Sequence, residues 1–126
     1  HHSNHRGFLN KYEHHLILRI EQQDVAAVQQ FLMDYFITRN SGSFFLCNED
    51  EGRKAFLHRF AVAGAAIRYR DTHRKEVEDN VALDIALRRN DQQWVETLPE
   101  ELEQAIIHKL YYGHFLCHVF HHDYII

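Results

Sequence analysis

Hydrophobic and polar positions follow two periods along this chain, and each change of period marks an element. Residues Tyr12 to Ile20 are rich in strand formers and run into the polar Glu21-Gln22-Gln23, which predicts a strand. Asp24 then stands as the N-cap of a helix, because Val25, Val28, Phe31, Leu32, Tyr35 and Phe36 recur at helical spacing. Asn40-Ser41-Gly42-Ser43 is a turn signal, and Phe44-Phe45-Leu46-Cys47 reads as a short apolar strand. A second helix, capped by Asn48 or Asp50, runs from Glu51 through Phe56, Leu57, Phe60, Ala61 and Ala65 towards Ile67. The charged stretch from Arg68 to Asn80 reads as an exposed connection. Val81 to Leu87 fits a strand better than a short helix. Pro99, with Thr97 as a cap, opens a third helix carried by Leu102, Ala105, Ile106, Lys109 and Leu110 and closed by Gly113. The run from His114 to Ile126 is apolar and aromatic and reads as a terminal strand.

The predicted order is strand, helix, strand, helix, strand, helix, strand, with short connections and no internal repeat. That order fits an α+β domain of two layers, a mainly antiparallel sheet of about four strands with helices on one face. A small α/β domain is the alternative. A chain of 126 residues is expected to form a single domain spanning 1–126. The chain ends on the apolar Tyr124-Ile125-Ile126, which reads as a cut through a larger protein. The opening His1-His2-Ser3-Asn4 reads equally as a tag remnant or as native sequence.

Charge narrows the partners. A net charge of -4 gives no global case for a nucleic-acid binder. The basic residues are uneven, however: Arg68, Arg70, Arg74 and Lys75 cluster, and Arg88-Arg89 follow. Such a cluster is most often a solvated face; its functional reading is attraction to an anionic lipid surface or an acidic partner. No apolar run reaches transmembrane length and no signal peptide is visible, so any membrane contact is expected to be peripheral. Cys47 and Cys117 have apolar neighbours and no CxxC spacing, which favours reduced, buried thiols in a cytoplasmic protein.

The chemistry-bearing residues are chiefly histidines. His114, His118, His121 and His122 fall inside the terminal apolar run. In an unbroken strand His114, His118 and His122 share one face and His121 points the other way. A metal needs its ligands within about 2.1 Å of one point. Histidines four apart on a strand are roughly 13 Å apart, so strand geometry alone gathers no metal site, and a bulge is needed to bring His114 and His121 to one side. Hydrogen-bonded core or rim histidines are the plain alternative to an active-site role. The adjacent His14 and His15 point to opposite faces. Arg59, in an apolar helix, either snorkels or holds an anion, for which its planar fork is suited. Asp84, in an apolar strand, needs a hydrogen-bonded partner if buried. No GxSxG, P-loop, GxGxxG, HExxH or paired CxxC motif is present.

Six strings carry a resemblance. They are Lys11-Tyr12-Glu13-His14-His15-Leu16, the run from Glu51 to Phe60 (Glu-Gly-Arg-Lys-Ala-Phe-Leu-His-Arg-Phe), Ala63-Gly64-Ala65-Ala66-Ile67-Arg68-Tyr69, Glu76-Val77-Glu78-Asp79, the run from Ala82 to Asp91 (Ala-Leu-Asp-Ile-Ala-Leu-Arg-Arg-Asn-Asp), and His108-Lys109-Leu110-Tyr111-Tyr112-Gly113-His114-Phe115. Together the chain, from about Lys11 onward, resembles the respiratory, quinone-dependent D-lactate dehydrogenases of bacteria, in the region that caps the flavin and meets the membrane. The resemblance implies a larger flavoprotein whose FAD is bound mainly by a domain outside this sequence. It implies oxidation of D-lactate to pyruvate with electrons passing to quinone, at the cytoplasmic face of the inner membrane. This piece alone is expected to be inactive. It also implies roles for residues. FAD-dependent 2-hydroxyacid dehydrogenases often carry a Gly-His strand motif with a second His seven residues on, which holds the substrate hydroxyl, sometimes through a divalent metal. Gly113-His114 and His121 match that spacing. The glycine-rich turn usual between them is replaced by Phe115-Leu116-Cys117-His118-Val119-Phe120, and the partner Glu-His motif would lie beyond Ile126. The implied role is therefore polar or general-base, with no metal carried over. Arg59 falls where relatives place an arginine for the substrate carboxylate. The basic residues Arg68, Arg70, Arg74, Lys75, Arg88 and Arg89 become the expected contact with an anionic membrane surface. The competing expectations are a non-catalytic, histidine-rich α+β binding module, and the same architecture acting on another 2-hydroxy acid.

Overall fold

The computed structural model describes residues 4–126, with side chains from residue 7 onward; His1, His2 and Ser3 lie outside the described residues. The chain forms two compact units, one ending at Arg59 and the other beginning at Phe60.

The first unit holds helices α1 (Asn4–Lys11), α2 (Val25–Arg39) and most of α3 (Glu49–Ala63). Asp24 occupies the N-cap position of α2 as the spacing predicts, at the end of a 3-10 turn, but its side chain makes no cap hydrogen bond. The helix stops at Asn40, whose left-handed backbone (φ 47°) lets its amide bond back to the Phe36 carbonyl. Gly42 is obligatory in the turn that follows. Its φ is +113°, and a side chain there would strike the Phe36 ring. Asn48 and Glu51 close a reciprocal capping box on α3: the Glu51 amide donates to Asn48 Oδ1 (2.9 Å) and the Asn48 amide to Glu51 Oε2 (3.0 Å).

Two expected strands are absent from the sheet. Residues 12–20 and 44–47 belong to no helix or strand, and Leu16 is 63% exposed. Their β-rich composition records a preference for extended backbone, but a strand also needs a paired neighbour, and these segments have none in the sheet. The second expected helix is broken at Gly64, so Arg68–Thr72 belongs to α4 (Ala65–Thr72) and not to an exposed connection. Glycine costs about 1 kcal/mol in a helix interior relative to alanine, which makes it the natural point of interruption.

The second unit contains the sheet: β1 (Asn80–Ala86), β2 (His108–His114) and β3 (Val119–Ile125), antiparallel throughout in the order β1-β3-β2. The protein is α+β, with three strands where about four were expected. The strand predicted at Val81–Leu87 is β1. The third helix is only Glu100–Ala105 (α5), with Pro99 itself at the N-cap position and Thr97 in no capping role. Ile106 is already extended, and β2 takes up Lys109 and Leu110. Gly113 is therefore a strand residue and not a helix terminator. A Cβ there would collide with the Val119 carbonyl oxygen across the hairpin. The terminal segment is likewise not one strand: a 3-10 turn over Phe115–Cys117 precedes β3, and His118 takes the left-handed conformation (φ 52°) that reverses the chain. The core of this unit joins Ala66, Val77 and Ile125, with Tyr69 and Leu110 against them, so α4 covers one end of the sheet. Cys117, expected to be buried, lies exposed in the turn, and Cys47 is half-buried. Among the described residues no helix is long and apolar enough to cross a membrane.

Candidate functional site

The β2–β3 hairpin places a polar cluster on each face of the sheet. Residues opposite one another in an antiparallel pair share a face, and successive residues alternate. The register Asp84↔His121↔Tyr112 and Ala82↔Asp123↔Leu110 therefore puts Asp84, His121, Tyr112 and Asp123 on one face. His114, two residues on from Tyr112, joins them opposite Val119. No bulge is involved: the 3-10 turn reverses the chain and brings His114 and His121 to the same side. His118 is excluded from the group, because its Nδ1 donates to the Arg88 carbonyl at 3.0 Å.

On this first face His121 Nδ1 is 2.6 Å from Asp84 Oδ1, and its Nε2 is 3.4 Å from Asp123 Oδ1. Asp123 is 2% exposed. It accepts from the Tyr112 hydroxyl (2.9 Å) and from Asn80 Nδ2 (3.1 Å). The hydrogen bond to Asp84 lifts His121 above the usual histidine range, against the opposing pull of burial. Burial and the bond to Asp123 push Tyr112 up to about 12, so it stays a phenol donor. His114 is exposed at the end of β2.

The opposite face is covered by residues 91–96. Glu96 accepts from Tyr111 (2.8 Å) and Lys109 (3.2 Å), and its other oxygen lies 3.5 Å from His122 Nδ1. Burial pushes the Glu96 carboxyl up, but hydrogen bonds from its own amide, Tyr111 and Lys109 outweigh it and hold the group below its ordinary value. His122, 2% exposed, bonds Tyr124 at 3.1 Å, and burial holds it below the usual histidine range. Trp94 closes this side, edge-on to Phe115 at 4.4 Å and stacked on Phe120 at 5.7 Å. This arrangement is a buried polar cluster beneath an aromatic cover, in which Glu96 Oε2 and His122 Nε2 are buried without a hydrogen-bond partner among the described residues.

The remaining predicted residues belong to elements other than the hairpin. Arg59 is exposed on α3, in the first unit. Arg68 and Arg70 are on α4, Arg74 and Lys75 in the turn after it, and Arg88-Arg89 in the loop after β1. Arg70 bridges Asp71 (3.4 Å) and Asp79 (3.2 Å), and Arg74 meets Asp71 at 3.4 Å. Arg68, Lys75, Arg88 and Arg89 are exposed. Among the described residues no three His, Cys, Asp or Glu side chains converge as a metal would need. Sequence reasoning missed Asp123, Tyr112 and Glu96. The signal for Asp123 was the one that flagged Asp84, a carboxylate inside an apolar run. It also missed the exposed apolar side chains, among them Phe31 and Ile37 on α2, Leu57 and Phe60 on α3, and Leu116 at the hairpin tip.

The family described as "D-lactate dehydrogenase, membrane binding" matches residues 3–126. Three curated relatives are quinone-dependent D-lactate dehydrogenases. That of Escherichia coli (strain K12) is 56% identical over 121 residues, covering 96% of this chain and 21% of the relative. That of Haemophilus influenzae is 56% identical over 119 residues, with 94% and 21% covered. The Corynebacterium glutamicum protein is 42% identical over 119 residues, with the same coverage. The chain thus spans about a fifth of the length of these relatives.

Proposed function

Since the chain belongs to the membrane-binding family of D-lactate dehydrogenases, we propose that it is the cap and membrane-binding region, 1–126, of a quinone-dependent D-lactate dehydrogenase. The observation that carries the reading is a family match along almost the whole chain, with two relatives at 56% identity. On this reading the intact protein oxidises D-lactate to pyruvate and passes the electrons to quinone, working as a peripheral protein at the cytoplasmic face of the membrane. FAD, when bound, accepts the hydride; no residue of this chain is assigned to hold it. The exposed hairpin tip, with Leu116 90% exposed beside His114, fits a surface that another part of a larger protein covers.

This chain's own contribution is to bind and orient. Oxidising a 2-hydroxy acid requires that its hydroxyl proton be accepted, and the hairpin pair His114 and His121 supplies the imidazole for that task. Arg59 fixes the substrate carboxylate through its planar fork. Arg68, Lys75, Arg88 and Arg89, being exposed, face the anionic lipid surface, with Arg70 and Arg74 partly neutralised by their carboxylate partners. Each exposed cation near such a surface contributes about 1 kcal/mol. The test is to express the full-length gene and assay D-lactate-driven reduction of a short-chain quinone. Flavin content together with D-lactate turnover supports the reading; neither flavin nor turnover overturns it. Activity on a different 2-hydroxy acid in place of D-lactate reassigns the substrate.

A further inference from the structure

Between the loop of residues 87–96 and the sheet face opposite His121 lies a cleft of about 210 Å³. Ile85 of β1 and Phe120 of β3, cross-strand neighbours, line it from the sheet, together with His122. Leu87, Trp94 and Glu96 line it from the loop. The Trp94 and Phe120 rings lie nearly parallel, 22° apart, and offer flat aromatic surface. A cavity of about 150 Å³ already admits benzene, whereas sites for larger ligands begin near about 300 Å³. The space therefore suits a single ring.

The polar groups narrow the class of ring. His122 Nε2 and Glu96 Oε2 are buried without a hydrogen-bond partner among the described residues, which is costly until something pairs with them. A plain hydrocarbon ring would leave both unpaired. An anion would be opposed by Glu96, which its hydrogen bonds hold in the carboxylate form. Burial keeps His122 neutral, with one N–H and one lone pair. It can thus donate to a carbonyl oxygen or accept from a hydroxyl. An uncharged ring whose oxygens alternate between those two forms, a quinone and its quinol, is matched in both. The loop that lines the cleft also carries the exposed Arg88 and Arg89, so it belongs to the surface read above as meeting lipid, where a quinone's hydrophobic tail resides.

We propose that this cleft holds the headgroup ring of the quinone, with Trp94 and Phe120 against the ring and His122 bonded to one of its oxygens. The identity of the ligand rests on the function proposed above; the preference for a small, uncharged, oxygen-bearing ring rests on the cleft alone.

Trp94 is the chain's single tryptophan, so its fluorescence reports on the cleft directly. Titration of the chain with duroquinone, a tail-less single-ring quinone, is expected to quench it along a saturating curve, against the linear collisional quenching of free tryptophan. Ile85→Phe, with its fold checked by circular dichroism, fills the space and should weaken binding about tenfold or more. Linear quenching of the wild-type chain overturns the site whatever the variants do, and so does saturable binding that a folded Ile85→Phe or Leu87→Phe leaves unchanged. In the full-length enzyme, with duroquinone as acceptor, Ile85→Phe should raise the KM for duroquinone about tenfold more than the KM for D-lactate. D-lactate turnover with an unaltered KM for duroquinone in that variant rejects the cleft and leaves the proposed function standing. Saturable binding that Ile85→Phe abolishes, in a protein without D-lactate activity, rejects the function and leaves the cleft as a quinone site.

Discussion

Asp123 is the side chain around which its face of the sheet is built. Removing one donor, as in Tyr112→Phe, leaves a buried carboxylate oxygen unsatisfied, and chemical denaturation should show a loss of about 1–3 kcal/mol. The histidines on the two faces give opposite pH dependences. His121 has a folded-state pKa above its unfolded value, so its contribution is full below about pH 6.5 and is lost as the pH rises through the folded value. His122 is held low by burial, so its contribution is present above about pH 6.5 and is lost on acidification. Melting temperature should therefore peak in between. Asp84→Asn should flatten the alkaline side, and an unchanged alkaline slope would count against the pairing of Asp84 with His121. At this scale the sequence was partly legible. Asp84 stood out as a carboxylate in an apolar strand; it lies exposed and so needs no partner, yet it pairs with His121. The pairing itself was out of reach, because it depends on the register between strands 37 residues apart.

Elements were legible where local chemistry decides them. The turn at residues 40–43, the helix that follows Asp24, the cap at Asn48 and strand β1 all stand where pattern and capping residues place them. Asn48→Ala should weaken α3 by about 1 kcal/mol, measured as a lower denaturation midpoint. Gly64→Ala should act the other way. Gly64 has helical-side dihedrals, and an added Cβ meets only the Ala61 carbonyl at 3.9 Å, so a gain of about 0.5–1 kcal/mol is expected, with more helix by circular dichroism. Destabilisation by that change would mean that the break between α3 and α4 is required. Long-range pairing defeated the pattern elsewhere. The β-rich residues 12–20 have no partner in the sheet, and the β2–β3 hairpin was read as a helix followed by a strand. Its turn contains no Gly or Pro signal, since His118 supplies the left-handed residue, and Gly113 is needed for close strand approach in place of a helix end.

At the scale of the whole molecule, two surface features point outward. One is the set of exposed cations, Arg68, Lys75, Arg88 and Arg89; the other is the set of exposed apolar side chains such as Ile37, Leu57, Phe60 and Leu116. Helix α2 carries apolar residues around most of its circumference, with Phe31 and Ile37 outward and Leu32 and Phe36 half-buried, a pattern that soluble helices seldom leave in water. The chain spans about a fifth of its relatives' length, and on the function proposed above the cations are for lipid headgroups and the apolar side chains for the rest of the intact protein. Cosedimentation of the chain with vesicles of anionic and of neutral phospholipid across a range of ionic strength is the most direct measurement. The expected result is binding to the anionic vesicles at low salt, weakened about fivefold by Arg89→Gln and released as salt screens the contact. Absence of binding to anionic vesicles at low salt would contradict membrane contact by this chain, and equal, salt-independent binding to neutral vesicles would contradict its electrostatic basis.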